Sequence, residues 1–333
     1  MRVFVTRRLP EQALAIVRGA AKTDVWPHDG PPPRTELLDH VADADGLLCL
    51  LTDRVDQELL DRAPRLKVVS QMAVGYDNID VAACSARGIP VGHTPGVLTE
   101  TTADLAFGLL LATARRIVDA DRFTRSGQWK TWSPMLLAGA DVHHATLGIV
   151  GMGRIGFELA RRAAGFQMRI LYTDPEASPA AEKQFGATRV DLGTLLAHSD
   201  FVSLHTPLTQ ETRHLIGAEE LARMKPTAIL INTARGPIVD QKALHEALAR
   251  GRIAAAGLDV YEEEPLSPDD PLLELDNAVL LPHIGSASVA TRTRMAVLAA
   301  ENLVAGLQDR PLPHCANPEA GIRREGAGQA SRP

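Results

Sequence analysis

Cysteine is scarce in this chain, with three residues in 333. Cys49, Cys84 and Cys315 are odd in number and widely spaced, and no C-x-x-C or Cys/His cluster accompanies them. Neither a disulfide framework nor a metal site is expected. Basic charge is not in excess either: 35 Lys and Arg against 41 Asp and Glu give a net charge of −6. With no basic cluster, nucleic acid is not an expected partner. No apolar run is long enough to cross a bilayer, and Met1-Arg2 leads straight into the apolar stretch Val3–Val5. The expectation is no membrane span, no signal peptide and a cytoplasmic location. What is present is ordinary for a globular protein, 45% hydrophobic and 23% charged. The length suffices for two domains, each with its own core.

Against that background one segment stands out, Leu147–Gly156, LGIVGMGRIG. It reads as a short apolar strand running into Gly151-x-Gly153-x-x-Gly156. Gly151 lets the backbone turn sharply off the strand. Gly153 lets a pyrophosphate approach the main chain, and Gly156 lets the next helix pack on the sheet. That helix, Arg154–Ala164, is apolar at Ile155, Leu159 and Ala163, and its first N–H groups would face the phosphates. The next strand ends in an acid, Asp174, eighteen positions past Gly156. A carboxylate there accepts from the adenosine ribose hydroxyls and repels a 2′-phosphate. A strand before, a helix after and an acid at that distance make this a dinucleotide site, where the glycine pattern alone would be weak.

The first hundred residues alternate strand-like and helix-like segments: Val3–Thr6, Glu11–Ala20, Thr23–Trp26, Thr35–Ala42, Gly46–Leu51, Gln57–Arg62, Lys67–Gln71, Asp80–Arg87 and Ile89–Gly92. Such alternation builds a parallel sheet covered on both faces. This region lacks a glycine-rich loop, so it is not expected to hold the cofactor. A long helix is expected over Thr101–Ser126, with Thr99 and Thr102 as capping candidates, then a looser segment Gly127–His144. The second series of strands is Leu147–Val150, Met168–Thr173, Thr188–Val190, Phe201–Leu204, Ala228–Asn232, Ala254–Asp259 and Ala278–Leu281. A last helix spans Val289–Leu307, and the Pro-, Gly-, Glu- and Arg-rich end from about Pro311 is expected to be mobile.

Ligands of open α/β sheets bind beyond the carboxyl ends of the strands. The residues placed there are Ala73–Tyr76, His93–Pro95, Gly151–Arg154, Asp174, His205–Pro207 (with Thr206), Thr233–Arg235, Asp259 and His283–Gly285. Hydride chemistry on a 2-keto acid needs three groups. A cation must hold the carboxylate, and arginine's planar fork suits that. A proton donor must reach the carbonyl oxygen, and histidine's reference pKa of about 6.5 suits that. A carboxylate must then favour and orient the imidazolium. Arg235 in INTARGPIVD and His283 in LLPHIGSAS are placed for the first two roles. The third falls to one acid of YEEEP, and the residues alone do not choose among Glu262, Glu263 and Glu264.

The chain resembles the D-isomer-specific 2-hydroxyacid dehydrogenases over nearly its whole length, to about Pro313. The likeness rests on AVGYDNID (Ala73–Asp80), HTPGVLTETTADLAFGLLLATARR (His93–Arg116), GMGRIG (Gly151–Gly156), MKPTAILINTARGPIVD (Met224–Asp240), AAGLDVYEEEP (Ala255–Pro265) and LPHIGSAS (Leu281–Ser288). AVGYDNID, TPxVLTxTTA and the RSGxWK phrase at Arg125–Lys130 are shared most with glyoxylate/hydroxypyruvate reductases. The resemblance implies an α/β protein of two doubly wound parallel-sheet domains. A Rossmann cofactor domain (99–285, with 99–145 as long helix and dimerisation loop) is inserted in a flavodoxin-like substrate domain (1–98 plus 286–313), and 314–333 is a mobile tail. It implies a homodimer and closure over the substrate before hydride transfer.

The resemblance also implies roles. Arg235 holds the substrate carboxylate and carbonyl, His283 is the acid in reduction and the base in oxidation, and Glu264 pairs with His283. The N–H groups of Val74 and Gly75 bind the carboxylate. Arg154 and Ile155 lie at the pyrophosphate and Asp174 at the ribose. Pro207 and Thr212 lie against the adenosine side, and Ala234 and Asp259 near the nicotinamide. Trp132 reaches toward a partner's site, and with Leu50, Leu51 and Met135 forms an apolar wall suited to a small substrate. Formate dehydrogenase relatives pair their histidine with glutamine and phosphite-oxidising ones carry lysine in place of Val74, so neither matches this chain. Asp174-Pro175 replaces the small and basic residues of many NADPH users, so NAD(H) is expected over NADP(H). The expected reaction is NADH-dependent reduction of glyoxylate or hydroxypyruvate to glycolate or D-glycerate. A broader reductase of 2-ketogluconate or pyruvate is the nearest alternative. A dinucleotide-sensing corepressor-like protein is the alternative of another class.

Overall fold

The protein is described here from a computed structural model covering residues 1–320. It divides into two compact units, one made of Met1–Leu98 and the chain from Ser288 onward, the other of Thr99–Ala287.

The first unit alternates β1 (Arg2–Val5), α1 (Glu11–Ala20), β2 (Lys22–Val25), α2 (Arg34–Val41), β3 (Gly46–Cys49), α3 (Gln57–Arg62), β4 (Val68–Gln71), α4 (Val81–Ala86) and β5 (Val91–Gly92). Its five strands are all parallel, in the order β2-β1-β3-β4-β5. GLLC of β3 and VVSQ of β4 are buried at every position, as central strands covered on both faces must be. Asp56 and Asp80 start α3 and α4 by accepting from the N–H groups of Leu59 and Ala83.

The second unit opens with α5 (Thr99–Ala114) and α6 (Ile117–Arg125). The single helix expected over Thr101–Ser126 is therefore two. Ala114 gives its carbonyl to Ala140 N–H at 2.9 Å, so it is not free to continue the ladder. Arg116 then takes the left-handed conformation, φ 51, and the chain restarts in a new direction. The strands and helices that follow are β6 (Thr146–Val150), α7 (Arg154–Gly165), β7 (Arg169–Thr173), α8 (Pro179–Phe185), β8 (Thr188–Arg189), α9 (Leu192–His198), β9 (Phe201–Leu204), α10 (Ala218–Arg223), β10 (Ile229–Asn232), α11 (Gln241–Ala249), β11 (Ala255–Leu258) and β12 (Ala278–Leu280). All seven strands are parallel, in the order β12-β11-β10-β9-β6-β7-β8. This is a complete doubly wound dinucleotide-binding sheet, with its switch point between β6 and β9. Leu147, Ile149, Ile170 and Tyr172 point to the α5 and α7 side, and Leu171, Val202, Leu204 and Leu230 to the other.

Helix α12 (Val289–Leu307) returns to the first unit, where Ser70 Oγ donates to Ala299 O at 2.7 Å. The mobile end expected from Pro311 is not what residues 314–320 show. Cys315 bridges Gly92 antiparallel, Ala316 N donates to Val91 O at 2.8 Å, and Asn317 is buried with its Oδ1 on Val91 N at 2.7 Å. The edge of β5 supplies partners that composition does not reveal. Residues 321–333 of the expected tail lie outside the described residues. Among the described residues no helix is long and apolar enough to cross a membrane. Cys49 and Cys84 are free and buried, and burial raises the pKa of both thiols.

Candidate active site

The cofactor end is built by β6, β7 and the turn between β6 and α7. Gly151 has φ 95, and a Cβ there would lie 2.8 Å from the His205 backbone, so only glycine fits. A Cβ on Gly156 would lie 2.1 Å from Gly151 O, which is how closely α7 lies on the turn. Gly153 differs: a Cβ there meets no protein atom within 4 Å, and with Arg154 it is exposed at the start of α7. The open face of the turn is thus room for a ligand, with helix N–H groups behind it. Asp174 follows β7. Its Oδ2 accepts from Met152 N at 2.8 Å and its Oδ1 from Glu176 N at 3.0 Å, which fixes the carboxylate beside the turn. Arg189 buttresses the same corner by donating to the carbonyls of Asp174 and Pro175 at 2.8 and 2.6 Å.

Beyond β9, His205 is half-buried with Nε2 2.8 Å from Ser203 Oγ, and burial pushes its pKa down to about 4. It is a neutral ring beside the turn and adds no cation there. Thr206 and Pro207 follow, and Thr212 Oγ1 reaches back to Pro207 O at 2.7 Å, closing that loop on itself. Beyond β10, Thr233 is buried and its Oγ1 has no hydrogen-bond partner among the described residues. An unsatisfied buried hydroxyl costs about 1–3 kcal/mol, and a polar ligand group at this strand end removes that cost. The residues present fit a dinucleotide.

The reactive groups follow three neighbouring strands. Arg235 follows β10, Asp259 follows β11 and His283 follows β12. Asn232, at the end of β10, donates from Nδ2 to Arg235 O at 2.9 Å and accepts at Oδ1 from Ala234 N at 3.0 Å. This Asx arrangement folds the Thr233–Arg235 turn. Arg235 Nη1 donates to Ala234 O at 2.8 Å. The residue after it, Gly236, packs where a Cβ would lie 1.8 Å from the Tyr261 carbonyl, so the Arg235 loop and the YEEEP loop touch backbone to backbone.

Among the three acids of YEEEP the geometry is selective. Glu264 Oε2 is 2.6 Å from His283 Nδ1, and its Oε1 accepts from Tyr261 N at 3.1 Å. Glu262 is engaged elsewhere, with Oε1 2.7 Å from His214 Nε2 and its N–H on Gln241 Oε1. His283 has φ 54, in the left-handed region that few side chains other than Asn, Asp and His occupy. Asp259 holds it there. Its carboxylate is fully buried and accepts from Ile284 N and Gly285 N, each at 2.7 Å. Burial raises the Asp259 pKa, against the pull of those N–H groups and of His283. Asn232, Tyr261 and Asp259 as a loop anchor are residues that motif reading did not single out for positioning; the strand-end Asn was the available signal.

Val74, Gly75 and Leu51 belong to the first unit, in the loops after β4 and β3. Trp132 and Met135 lie on the loop after α6 and are 76% and 77% exposed on this chain. Among the described residues no cluster of three His, Cys, Asp or Glu is arranged to hold a metal.

Sheet order, turn and strand-end acid define a dinucleotide-binding α/β protein. The profile of the D-isomer specific 2-hydroxyacid dehydrogenase NAD binding domain matches residues 107–285. The chain is 56% identical over 319 residues to a glyoxylate reductase of Korarchaeum cryptofilum, covering 96% of each chain. It is 52% identical over 320 residues to the glyoxylate reductase of Thermococcus litoralis, covering 95% of this chain and 96% of that one. Among solved structures it is similar to a protein of Thermus thermophilus, with TM-score 0.89, 50% identity and coverage of 95% and 100%. An NADPH-dependent glyoxylate/hydroxypyruvate reductase of Sinorhizobium meliloti, in complex with NADP and malonate, gives TM-score 0.83, 33% identity and coverage of 96% and 97%. The chain belongs to the D-isomer-specific 2-hydroxyacid dehydrogenase family.

Proposed function

We propose that this enzyme reduces glyoxylate or hydroxypyruvate to glycolate or D-glycerate, with NADH preferred over NADPH. The observation that carries the reading is the 2.6 Å contact between His283 Nδ1 and Glu264 at a strand end of the cofactor sheet. The bound nicotinamide supplies the hydride to the substrate's carbonyl carbon. Arg235 holds the carboxylate and polarises the carbonyl with its planar fork. Glu264 accepts from Nδ1–H, so the ring can carry a second proton on Nε2, and Nε2 gives that proton to the carbonyl oxygen. In oxidation the same nitrogen takes it back. The N–H groups of Val74 and Gly75 take the carboxylate, Leu51 adds an apolar wall suited to a small substrate, and Trp132 reaches toward a partner's site. A cytoplasmic location goes with this reading. The test follows NADH absorbance with glyoxylate, hydroxypyruvate, pyruvate and 2-ketogluconate in parallel. Fast turnover with either of the first two supports the proposal. Turnover with none, by a protein that binds NADH, overturns it in favour of a sensing role.

The cofactor preference rests on Asp174, whose carboxylate is held beside the glycine turn and would oppose a 2′-phosphate. Asp174→Ala is expected to raise kcat/KM for NADPH about tenfold or more and to lower it for NADH. Parallel titration of both cofactors checks this, and equal use of NADH and NADPH by the unaltered enzyme would refute the preference.

The homodimer is argued from α6, which buries none of its residues in this chain. Ile117 on that helix, and Trp129, Trp132 and Met135 after it, are large apolar side chains exposed on this chain. Light scattering after gel filtration is expected to give twice the chain mass, and Ile117→Glu with Met135→Glu to give monomer. A monomeric wild type would end this assignment.

A further inference from the structure

In the turn after β4, three successive carbonyls are each bound from the protein side. Ala73 O accepts from Thr94 N at 2.7 Å, Val74 O from His93 Nδ1 at 2.9 Å, and Gly75 O from Gln71 Nε2 at 2.7 Å. Each peptide is planar and trans, so a carbonyl and the N–H of the next residue point in opposite directions. Fixing Ala73 O aims Val74 N–H, and fixing Val74 O aims Gly75 N–H. Neither of those N–H groups meets a hydrogen-bond acceptor among the described residues, and both residues are half-buried. Two adjacent N–H groups held this way are left to donate to an anion that enters from outside the loop.

The groups behind the loop are themselves fixed. Gln71 is fully buried and exchanges side-chain hydrogen bonds with Asn78, at 2.7 and 2.8 Å. Asn78 Nδ2 also reaches Asp53 O at 2.7 Å. The His93 carbonyl accepts from Asn302 Nδ2 at 2.9 Å and its N–H donates to His314 O at 3.2 Å. Tyr76 stands edge-on to the ring at 5.3 Å. Because Val74 O can only accept, Nδ1 of His93 carries the proton, which fixes the tautomer.

We propose that His93, supported by Gln71, is a positioning residue for substrate binding, orienting the Val74 and Gly75 N–H groups toward the substrate carboxylate. The proposal rests on the assignment of those two N–H groups to the carboxylate. His93→Leu removes the donor, whereas His93→Asn keeps one at similar reach. His93→Leu is expected to raise KM for glyoxylate about tenfold, the equivalent of one such hydrogen bond. kcat should change by about twofold at most, and NADH affinity should not change. His93→Asn should recover most of the loss, and Gln71→Met should repeat the effect should His93→Leu fail to fold.

Hydrogen exchange of the full-length enzyme with NADH and oxamate, an unreactive analogue of glyoxylate, separates the two layers. Oxamate should slow exchange at residues 73–76 in the wild type and less so in His93→Leu. No slowing in the wild type would remove the carboxylate assignment, and the proposal with it. Slowing in the wild type, with unchanged KM in His93→Leu, would overturn the positioning role alone. Parallel losses in KM, kcat and NADH affinity would also overturn it, since they describe a merely structural residue.

Discussion

Replacing His283 by alanine is expected to lower kcat by about two to four orders of magnitude and to leave NADH affinity nearly unchanged. Fluorescence titration of NADH beside steady-state rates checks both halves. The separation is expected because the loop does not depend on the ring. Asp259 holds it through Ile284 N and Gly285 N, and these bonds survive the change. Alanine at φ 54 costs roughly 1–2 kcal/mol, too little to unseat a loop anchored by a buried carboxylate. What disappears is the imidazole on Glu264, and with it the proton donor. Wild-type turnover in His283→Ala would remove His283 from the proton-transfer role. Arg235→Ala should behave differently, raising KM as well as lowering kcat, because the guanidinium acts on bound substrate before and during the reaction.

The second large effect is expected at a residue with no functional group. Gly236→Ala would place a Cβ 1.8 Å from the Tyr261 carbonyl, a backbone contact that no side-chain rotation relieves. One of the two loops must move. Arg235 precedes that contact on one side. On the other, Tyr261 N–H holds Glu264. A displacement of about 1 Å at a reacting group can cost about a hundredfold in rate, so kcat/KM should fall by at least that order and the melting temperature should drop. Asp174 and the glycine turn lie on other strands, so NADH should still bind to the folded fraction. Wild-type kinetics and melting in Gly236→Ala would show that the close approach of these loops is not required.

Local patterns carried most of what the sequence disclosed. The strand before GMGRIG, the helix after it and the acid closing the next strand are all set by neighbours within about thirty positions. Alternating apolar runs located the parallel strands of both sheets to within a residue or two. The losses came where a distant residue decides. Helix α5 ends because Ala140 takes the Ala114 carbonyl, a contact across the Gly127–His144 loop. Residues 314–320 are ordered by pairing with β5, more than two hundred positions earlier, though their composition suggests mobility. The three acids of YEEEP share charge and loop, so only the geometry distinguishes Glu264 on His283 from Glu262 on His214. His93 was placed at a strand end, but its role gave no sequence signal, because its partner is a main-chain carbonyl.

The first unit draws on both ends of the chain, and this sets an order of assembly during synthesis. Its sheet is complete once β5 has left the ribosome, yet the helix that packs on β3 and β4, and the strap along β5, are made only after the whole of Thr99–Ala287. The cofactor unit is contiguous and can close its core first. Until α12 arrives, Val68 and the other residues beneath it wait exposed. A nascent chain stalled before Ser288 would therefore carry a finished dinucleotide site beside an uncovered sheet, the kind of surface that chaperones bind.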